Sequence, residues 1–478
     1  MIGNSILDYV LIRICIVAFR LVAPLSALHA VASIYLGHAV VSKYLLYYTF
    51  LETFFFLGVY LPRKWSLQTA TIHPQLLPRA ERRALFEKCS QKMSEATIRP
   101  WFLQTESGRI MRDNAADWIL WALFSTHEGE YTEEWEEEIN EYLEMFAERL
   151  GRPLAQGRDA NIKCMRLTLD PVVMCHRPFL WYMIVAGVDA FTSVRLTYMG
   201  FKHHNTRRWF TVFPPRPLLS LVSRPSCDPD ISYWYRPHRS TTKRPILFIH
   251  GIGIGLYPYN PFFKELIAQD PDVGILAIEI LSISMRITSP PPSRGAMYDS
   301  IARILAHHSL PPVTLISHSY GTIVTAHLLT SPKLAPRIAN ILFIDPIPFL
   351  LHHPAVAYNF VYRKPKRANE WQLWYFASRD PDIARALSRH FFWSENVLWK
   401  EDLQGKKVAV SLAGSDQIVD AKEVRSYLAE KSKEMTRWAK DDLEVLFYPG
   451  LDHATVFDTP QRRKGLTDIV HRFVEIET

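Results

Sequence analysis

The sequence predicts an α/β fold, in which a mostly parallel sheet is covered by helices on both faces. Short apolar runs that are typical of strands alternate with helix-like stretches through the C-terminal half of the chain. Strands that are apolar on both sides indicate a buried parallel sheet, and crossovers of this length suit right-handed β-α-β units. At 478 residues the chain is long enough for two or three domains with sizeable cores.

The first part of the chain, residues 1–64, is unusually apolar. Residues 21–41 contain no Lys, Arg, Asp or Glu, and residues 44–61 contain only Glu52. A stretch of about 20 apolar residues can cross a bilayer. Three interpretations stay open: a membrane hairpin or two short spans, an amphipathic segment plus one span, and a buried helical pair or a cleaved signal sequence.

The charges next to this segment favour a membrane-associated protein whose bulk faces the cytosol. Arg13 and Arg20 are seven residues apart and share one helix face, and Arg63 and Lys64 directly follow the apolar run. The chain has no Asn-x-Ser/Thr acceptor site, and its five scattered cysteines show neither a disulfide framework nor metal spacing: Cys15, Cys89, Cys164, Cys175 and Cys227.

Residues 65–230 are expected to be mostly helical, because apolar residues recur at helical spacing in three stretches: 79–93, 110–124 and 131–150. A fourth stretch, 179–198, is long and apolar. Asp189 and Arg195 within it favour a packed helix over a membrane span. Three prolines mark a linker before the C-terminal domain, residues 231–478: Pro214, Pro215 and Pro217.

Seven strands are predicted for the C-terminal domain, at 232–235, 246–249, 273–279, 313–316, 341–344, 408–412 and 445–448. Helices are predicted between them, for example at 297–307 and 421–437. This alternation indicates a single sheet in which most neighbouring strands run parallel.

The feature that carries chemistry is Ser317-His318-Ser319-Tyr320-Gly321, which lies between a predicted strand and a helix-like stretch. A serine at the tip of a sharp strand-to-helix turn exposes its hydroxyl above the sheet, and only small neighbours let strand and helix pack so closely. The usual pattern has glycine two residues before the serine, so Ser317 is a departure.

Three further groups follow other predicted strands. One strand ends in His250-Gly251 and a glycine-rich loop, whose backbone N–H groups can approach a substrate oxygen. Asp416 and His453 each follow a later strand. A serine becomes an effective nucleophile when a histidine takes its proton and a carboxylate fixes the histidine tautomer.

In this order of loop, Ser, Asp and His, the C-terminal half of the chain resembles the α/β-hydrolase superfamily. The resemblance implies a serine hydrolase of the esterase or lipase type. Ser319 would be the nucleophile, His453 the general base and acid, and Asp416 the orienting carboxylate. The oxyanion hole would consist of the backbone N–H groups of Tyr320 and Ile252.

The acid and the base have alternatives. Asp345 follows the neighbouring strand and could replace Asp416 as the acid. Asp420 could also be the acid, or it could only cap the next helix. Asp452 could orient the adjacent histidine, although adjacent side chains usually point apart. His471 falls in a predicted helix, and His318 is interpreted as a packing residue.

Residues of about 347–405 interrupt the strand–helix alternation, and insertions at this place often form a lid in the superfamily that the sequence resembles. This insertion is rich in aromatic side chains: Phe349, Trp371, Trp374, Tyr375, Phe391, Phe392, Trp393 and Trp399. They either suit an apolar acyl or aromatic substrate or pack the lid onto the core.

The sequence therefore predicts a membrane-associated serine hydrolase that cleaves a carboxylic ester, of an apolar or lipid-like compound, without cofactor or metal. An amide or thioester substrate is not separated from an ester by sequence. The alternative is a catalytically inactive membrane scaffold with the same fold, for which Ser317 is the only hint. The net charge is +7, but the basic residues are scattered along the sequence and do not resemble a nucleic-acid-binding module.

Overall fold

The computed structural model describes residues 2–127, 132–206, 211–429 and 436–476. Its strands are Lys202–Asn205 (β1), Arg224–Pro225 (β2), Ser232–Arg236 (β3), Ile246–Ile249 (β4), Ile275–Glu279 (β5), Val313–His318 (β6), Ile338–Ile344 (β7), Lys407–Ala413 (β8), Arg437–Lys440 (β9) and Leu443–Tyr448 (β10). They form one ten-stranded sheet in the order β2-β1-β3-β5-β4-β6-β7-β8-β10-β9.

The sheet is mostly parallel, as predicted. Neighbouring strands β5, β4, β6, β7, β8 and β10 all run parallel, whereas β3 and β9 pair antiparallel at the two ends of this set. All seven predicted strands are present, with ends that differ by a few residues. Because the carboxyl ends of parallel strands meet at one edge, the residues that follow β4, β6, β7, β8 and β10 converge there.

The α-helices are Ile6–Leu36 (α1), Lys43–Phe55 (α2), Leu61–Ser66 (α3), Arg79–Ser90 (α4), Glu95–Ile98 (α5), Arg112–Phe124 (α6), Glu136–Leu150 (α7), Phe179–Tyr198 (α8), Pro217–Val222 (α9), Asn260–Gln269 (α10), Arg294–His307 (α11), Gly321–Leu329 (α12), Ala355–Ala357 (α13), Ala368–Leu373 (α14), Pro381–His390 (α15), Trp393–Asn396 (α16), Ala421–Ala429 (α17) and Pro460–Val474 (α18). The insertion contributes α13 to α16.

Two predictions about elements need correction. The helix predicted at 421–437 is α17, which ends at Ala429, and its last predicted residue, Arg437, starts the edge strand β9. Residues 430–435 lie outside the described residues, as does the first residue of the predicted helix 131–150. The region expected to be mostly helical also contributes β1 and β2, which extend the sheet of the following domain.

Two hydrophobic cores lie on opposite faces of the sheet. Successive strand residues alternate between them, so Leu247 belongs to one core and Phe248 to the other. The Phe248 core contains residues of α10 and α18, such as Phe262 and Leu466. The Leu247 core contains residues of α11, α12 and α17, and it continues without a break into α6 and α7 and into the insertion. The N-terminal helical region therefore covers the sheet face that carries the insertion.

Helices α1 and α2 pack against each other as a hairpin that starts the chain. By length and composition, two helical stretches of the described chain could span a membrane, Lys43–Ser66 and Phe179–Tyr198. Much of the hairpin is exposed and apolar, with side chains such as Ile6 and Tyr35 more than four-fifths exposed at 85% and 88%. Glu52, the charge within the predicted second span, is buried and accepts hydrogen bonds from Tyr48 Oη and Phe179 N.

Helix α8 is tied to the domain by charge. Asp189 lies in the middle of this helix. It accepts a hydrogen bond from Arg216 Nε at 2.8 Å, and it forms an ion pair with Arg286 at 2.8 Å. Arg216 also bonds Glu279 at the end of β5. These ion pairs connect α8 to the sheet. They are consistent with the prediction, made from Asp189 and Arg195, that this segment is a packed helix.

Candidate active site

The turn after β6 has the geometry of a nucleophile position. Ser319 directly follows the strand at φ 50°, in the left-handed region that a side chain with Cβ adopts only under strain. Its N–H donates to Ile344 O at 3.0 Å, and α12 begins two residues later at Gly321. The strand, the strained turn and the helix together hold the Ser319 side chain at the carboxyl edge of the sheet.

Close packing around this turn explains which neighbours are small. A Cβ at Gly321 would lie 2.4 Å from Ile249 O, and a Cβ at Gly251 would lie 2.7 Å from the Ser319 Cβ, so both positions require glycine. Ser317 is fully buried, and its Oγ accepts a hydrogen bond from Thr325 Oγ1 at 2.8 Å. The departure from glycine is therefore matched by a partner on α12.

The structure brings the three predicted catalytic residues into one hydrogen-bonded relay. His453 Nε2 lies 2.9 Å from Ser319 Oγ, and His453 Nδ1 lies 2.7 Å from Asp416 Oδ2. The other oxygen of Asp416 accepts the N–H groups of Ile418 and Val419. The carboxylate is thus fixed by backbone while it contacts the imidazole, and we call Ser319, His453 and Asp416 the relay.

Asp345, the alternative acid, lies beside the relay but bonds elsewhere. Its two oxygens accept from the backbone of Ala413 and Ala454, at 3.0 and 2.7 Å. Ligand atoms of Asp345, Asp416 and His453 lie within 4.8 Å of one another, a spacing that could hold a metal ion. Both ring nitrogens of His453 already take part in the relay bonds, so the imidazole has no free lone pair for an ion.

The remaining alternatives lie in other roles. Asp420 Oδ1 accepts from Glu423 N in the first turn of α17, which is a helix cap. Asp452 accepts from the backbone of His453 and from Asn369 Nδ2 of the insertion, not from the imidazole. His471 lies on α18 and bonds Asp270, on another part of the surface.

The electrostatics of the relay favour a charged imidazole. Burial by itself disfavours the imidazolium, but the Asp416 carboxylate outweighs it and raises the pKa of His453 above its ordinary value. Burial raises the pKa of Asp416 although His453 opposes that shift. A raised pKa makes the neutral imidazole a stronger base, and it is this neutral form that can take the proton of a serine hydroxyl.

Beneath the relay lies a second row of similar groups, Tyr259, His318 and Asp345, which we call the buried row. Tyr259 Oη lies 2.7 Å from His318 Nδ1 and accepts the Gly251 N–H at 3.1 Å, whereas His318 Nε2 lies 3.8 Å from Asp345 Oδ2. Burial lowers the pKa of His318. Sequence analysis missed Tyr259, because no motif spacing links it to the loop that it holds.

Two backbone donors are available near Ser319, one on the loop after β4 and one on the turn after β6. Gly251 N bonds Tyr259 and Gly253 N bonds Ile283 O, so the loop is held on both sides of Ile252. Within the described parts of the chain, the N–H groups of Ile252 and Tyr320 donate to no protein acceptor. His250 fixes the start of the loop: its Nε2 accepts from Ile280 N, and its Nδ1 donates to Gly251 O.

Comparison with known proteins agrees with this architecture. Residues 246–463, slightly less than half of the chain, match the family model described as alpha/beta hydrolase family. The chain has the α/β-hydrolase fold. The match supports hydrolase activity as the reaction class, and no curated protein matches the chain by sequence.

Several solved structures are similar at low identity. A carboxylesterase of the thaumarchaeon Nitrososphaera gargenis is 16% identical, with 51% of this chain and 97% of the other covered at a TM-score of 0.36. A bacterial membrane phospholipase A is 12% identical (61% and 94% covered, TM-score 0.38), and the naproxen esterase of Bacillus subtilis is also 12% identical (60% and 96%, 0.37). Similarities this low carry no information on substrate.

A narrow apolar cavity of about 50 Å³ opens beside the relay, with Ser319 among the residues that line it. Its walls include Trp101 and Trp121 from the helical region, Ile252 from the glycine-rich loop, and Phe391 among others from the insertion. We call it the apolar cavity. Indole N–H groups in its wall donate to other residues, for example Trp121 Nε1 to Thr168 Oγ1.

Two sets of aromatic residues in the insertion lie in different places. Phe391 and Trp393 line the apolar cavity. Trp371, Trp374 and Tyr375 pack instead against Ile12 and Ile16 of α1, and Arg13 stacks over Trp371 at 3.9 Å from the ring centre. Arg13, one of the two arginines expected to share a helix face, therefore contacts the insertion.

Proposed function

We propose that the protein is a serine hydrolase that cleaves the carboxylic ester of an apolar or lipid-like substrate through an acyl-enzyme. The observation that carries the proposal is the hydrogen-bonded relay of Ser319, His453 and Asp416 with its serine on the wall of an apolar cavity. A relay of this geometry activates a hydroxyl for attack on a carbonyl carbon.

In the proposed reaction, Ser319 Oγ attacks the ester carbonyl while its proton moves to His453 Nε2. Asp416 stabilises the imidazolium that forms. The oxyanion accepts hydrogen bonds from the N–H groups of Tyr320 and Ile252, which have no protein acceptor among the described residues. His453 then gives the proton to the departing alcohol, and the same histidine activates the water that cleaves the acyl-enzyme.

The apolar cavity supports an apolar acyl group. All of its lining residues besides Ser319 are hydrophobic or aromatic, and the polar indole atoms of Trp121 and Trp393 bond outside it. The insertion supplies one wall, which supports its role as a lid over the site. We infer the division of the chain into 1–64, 65–230 and 231–478, with the lid at about 347–405.

The exposed apolar hairpin supports membrane association. Soluble surfaces seldom expose this much contiguous apolar area, and Lys43–Ser66 is long enough to span a bilayer. Arg63 and Lys64 close this stretch, which supports a hydrolase domain on the cytosolic side. The partners of this function are thus a membrane and an ester substrate, without a cofactor or metal.

The decisive experiment is to label the full chain with a fluorophosphonate and to measure hydrolysis of p-nitrophenyl esters of graded chain length. Ser319→Ala is expected to abolish both, because no hydroxyl remains for the probe or the ester. Ser317→Gly is the matched control: it restores the usual glycine and removes only the bond to Thr325, so labelling is expected to persist. A folded wild-type protein that resists the probe would contradict the proposal and favour the inactive scaffold.

A further inference from the structure

A second, larger cavity of about 640 Å³ adjoins the apolar cavity, because Tyr320 lines both. Tyr320 directly follows Ser319 in the chain. The cavity also borders Ser66, the last residue of the candidate span Lys43–Ser66. It therefore lies between the proposed nucleophile and the chain segment that would reach the membrane surface, and we call it the basic cavity.

Charge distinguishes the basic cavity from its neighbour. Three arginines and one glutamate are among the residues that line it: Arg294, Arg385, Arg389 and Glu395. Burial raises the pKa of Glu395, which favours its neutral form. Burial also lowers the pKa of each histidine in the wall, so these imidazoles are neutral near neutral pH: His73, His327 and His390. Excess positive charge thus comes from the arginines.

Arg385 is the guanidinium that is free to meet a ligand. Arg389 donates to the backbone oxygens of Thr69 and Asp170, and Arg294 donates to Thr330 Oγ1. Arg385 is half-buried in the cavity wall, and across the described ranges it has no hydrogen-bond or ion-pair partner. The nearest acid along its helix, Asp382, is engaged by Arg63 through both of its oxygens.

Backbone geometry adds to this positive environment. The 14-residue helix α11 begins at the cavity, where Ser293, Arg294 and Gly295 line the wall. The Ser293 side chain accepts a hydrogen bond from Ala296 N. The N–H groups before it, in the first turn of the helix, lie at the end of α11 that borders the cavity. A helix N-terminus carries partial positive charge and favours an anion.

From these observations we propose that the basic cavity binds a phosphate group carried by the alcohol part of the ester, with Arg385 as its main ligand. The proposal rests on the function proposed above and names its substrate class. The acyl chain occupies the apolar cavity, the carbonyl lies at Ser319, and the phosphate extends past Tyr320. A basic pocket at the end of a membrane span is a suitable place for a lipid head group.

The first test measures binding without turnover. The full chain in detergent is heated with increasing glycerol phosphate, with glycerol as the neutral reference. Wild type is expected to gain thermal stability with glycerol phosphate alone, and Arg385→Gln is expected to lose that gain. Arg239→Gln removes the same charge from an exposed arginine before β4, at the opposite edge of the sheet, and is expected to keep it. Equal stabilisation of wild type and Arg385→Gln would overturn the site.

The second test compares hydrolysis of octanoylglycerol with that of octanoylglycerol phosphate, which differ only in the phosphate. Arg385→Gln is expected to lower kcat/KM for the phosphate ester by about tenfold or more, mainly through KM, because a charge-assisted hydrogen bond is lost. A much smaller loss is expected for the neutral ester, because it carries no anion for the Arg385 guanidinium. A loss of the same size for both esters would overturn the proposal.

The two tests separate this proposal from the proposed function. If wild type hydrolyses neither ester and resists the fluorophosphonate, the hydrolase function fails, while the glycerol phosphate titration still tests the cavity. If glycerol phosphate stabilises the protein but the phosphate ester is not preferred over the neutral ester, the cavity binds a free phosphate ligand, and its assignment to the substrate is overturned.

Discussion

The relay and the buried row contain the same kinds of groups and differ in what each group contacts. Each has a hydroxyl, an imidazole and a carboxylate, and the rings of His453 and His318 lie 5.4 Å apart. In the relay the carboxylate bonds the imidazole at 2.7 Å, whereas in the buried row the closest approach is 3.8 Å. Asp416 raises the pKa of His453, while burial lowers that of His318.

The hydroxyl groups differ in the same way. Ser319 lies on the wall of a cavity, whereas Tyr259 is fully enclosed and holds the Gly251 N–H. The relay therefore has a carboxylate bonded to its imidazole and a hydroxyl that a ligand can reach, which suits it to chemistry. The buried row lacks both features and positions a loop. The predictions below test this difference, beginning with the largest expected effect.

Replacing Asp416 by Asn is expected to lower kcat by about 10³-fold or more, since an amide no longer fixes the productive tautomer of His453 or stabilises its imidazolium. Steady-state kinetics with a p-nitrophenyl ester measure this. Asp345→Asn is the matched control: it replaces a carboxylate that accepts two backbone N–H groups and lies near His318 but does not bond His453, so it is expected to reduce stability with a much smaller loss in kcat. The reverse ranking of the two variants would make Asp345 the acid.

The pH dependence of kcat/KM is expected to follow His453. The base must be neutral, so activity rises with pH through its pKa and falls about tenfold per pH unit below it. Because Asp416 raises this pKa, the inflection is expected above the ordinary histidine value. A pH–rate profile on wild type and Asp416→Asn measures it, and the variant is expected to have the lower inflection. An inflection unchanged by the substitution would contradict the assignment.

Replacing Tyr259 by Phe is expected to have the smallest effect. The buried Gly251 N–H loses its acceptor, which is expected to cost about 1–3 kcal/mol in the free energy of unfolding. Loosening of the loop that carries Ile252 is expected to lower kcat by about tenfold. Chemical denaturation and ester kinetics measure the two effects. The inflection of the pH profile is expected to stay in place, and a shift as large as that of Asp416→Asn would contradict the separation of the two rows.

Much of the hydrolase fold follows from the sequence. The seven predicted strands are present because each is a short apolar run bounded by polar or turn residues, and such local patterns survive folding. The prediction missed strand β9 and extended a helix to Arg437 instead. Edge strands are short and polar, so β9 lacks the apolar run that marks the other strands. The positions of Ser319, Asp416 and His453 after their strands were also readable, since parallel strands end at one edge.

Only the tertiary structure decided how these positions are completed. Thr325 bonds Ser317, Tyr259 accepts the Gly251 N–H, and Arg385 lines the same cavity as Tyr320. Each pairing depends on side-chain direction and on distance between elements that no periodicity encodes. The sequence by itself thus determined where strands and reactive groups follow one another along the chain, because these features depend on local patterns of residues. The contacts that tune charge and enclose a substrate arise when segments far apart in the chain pack together.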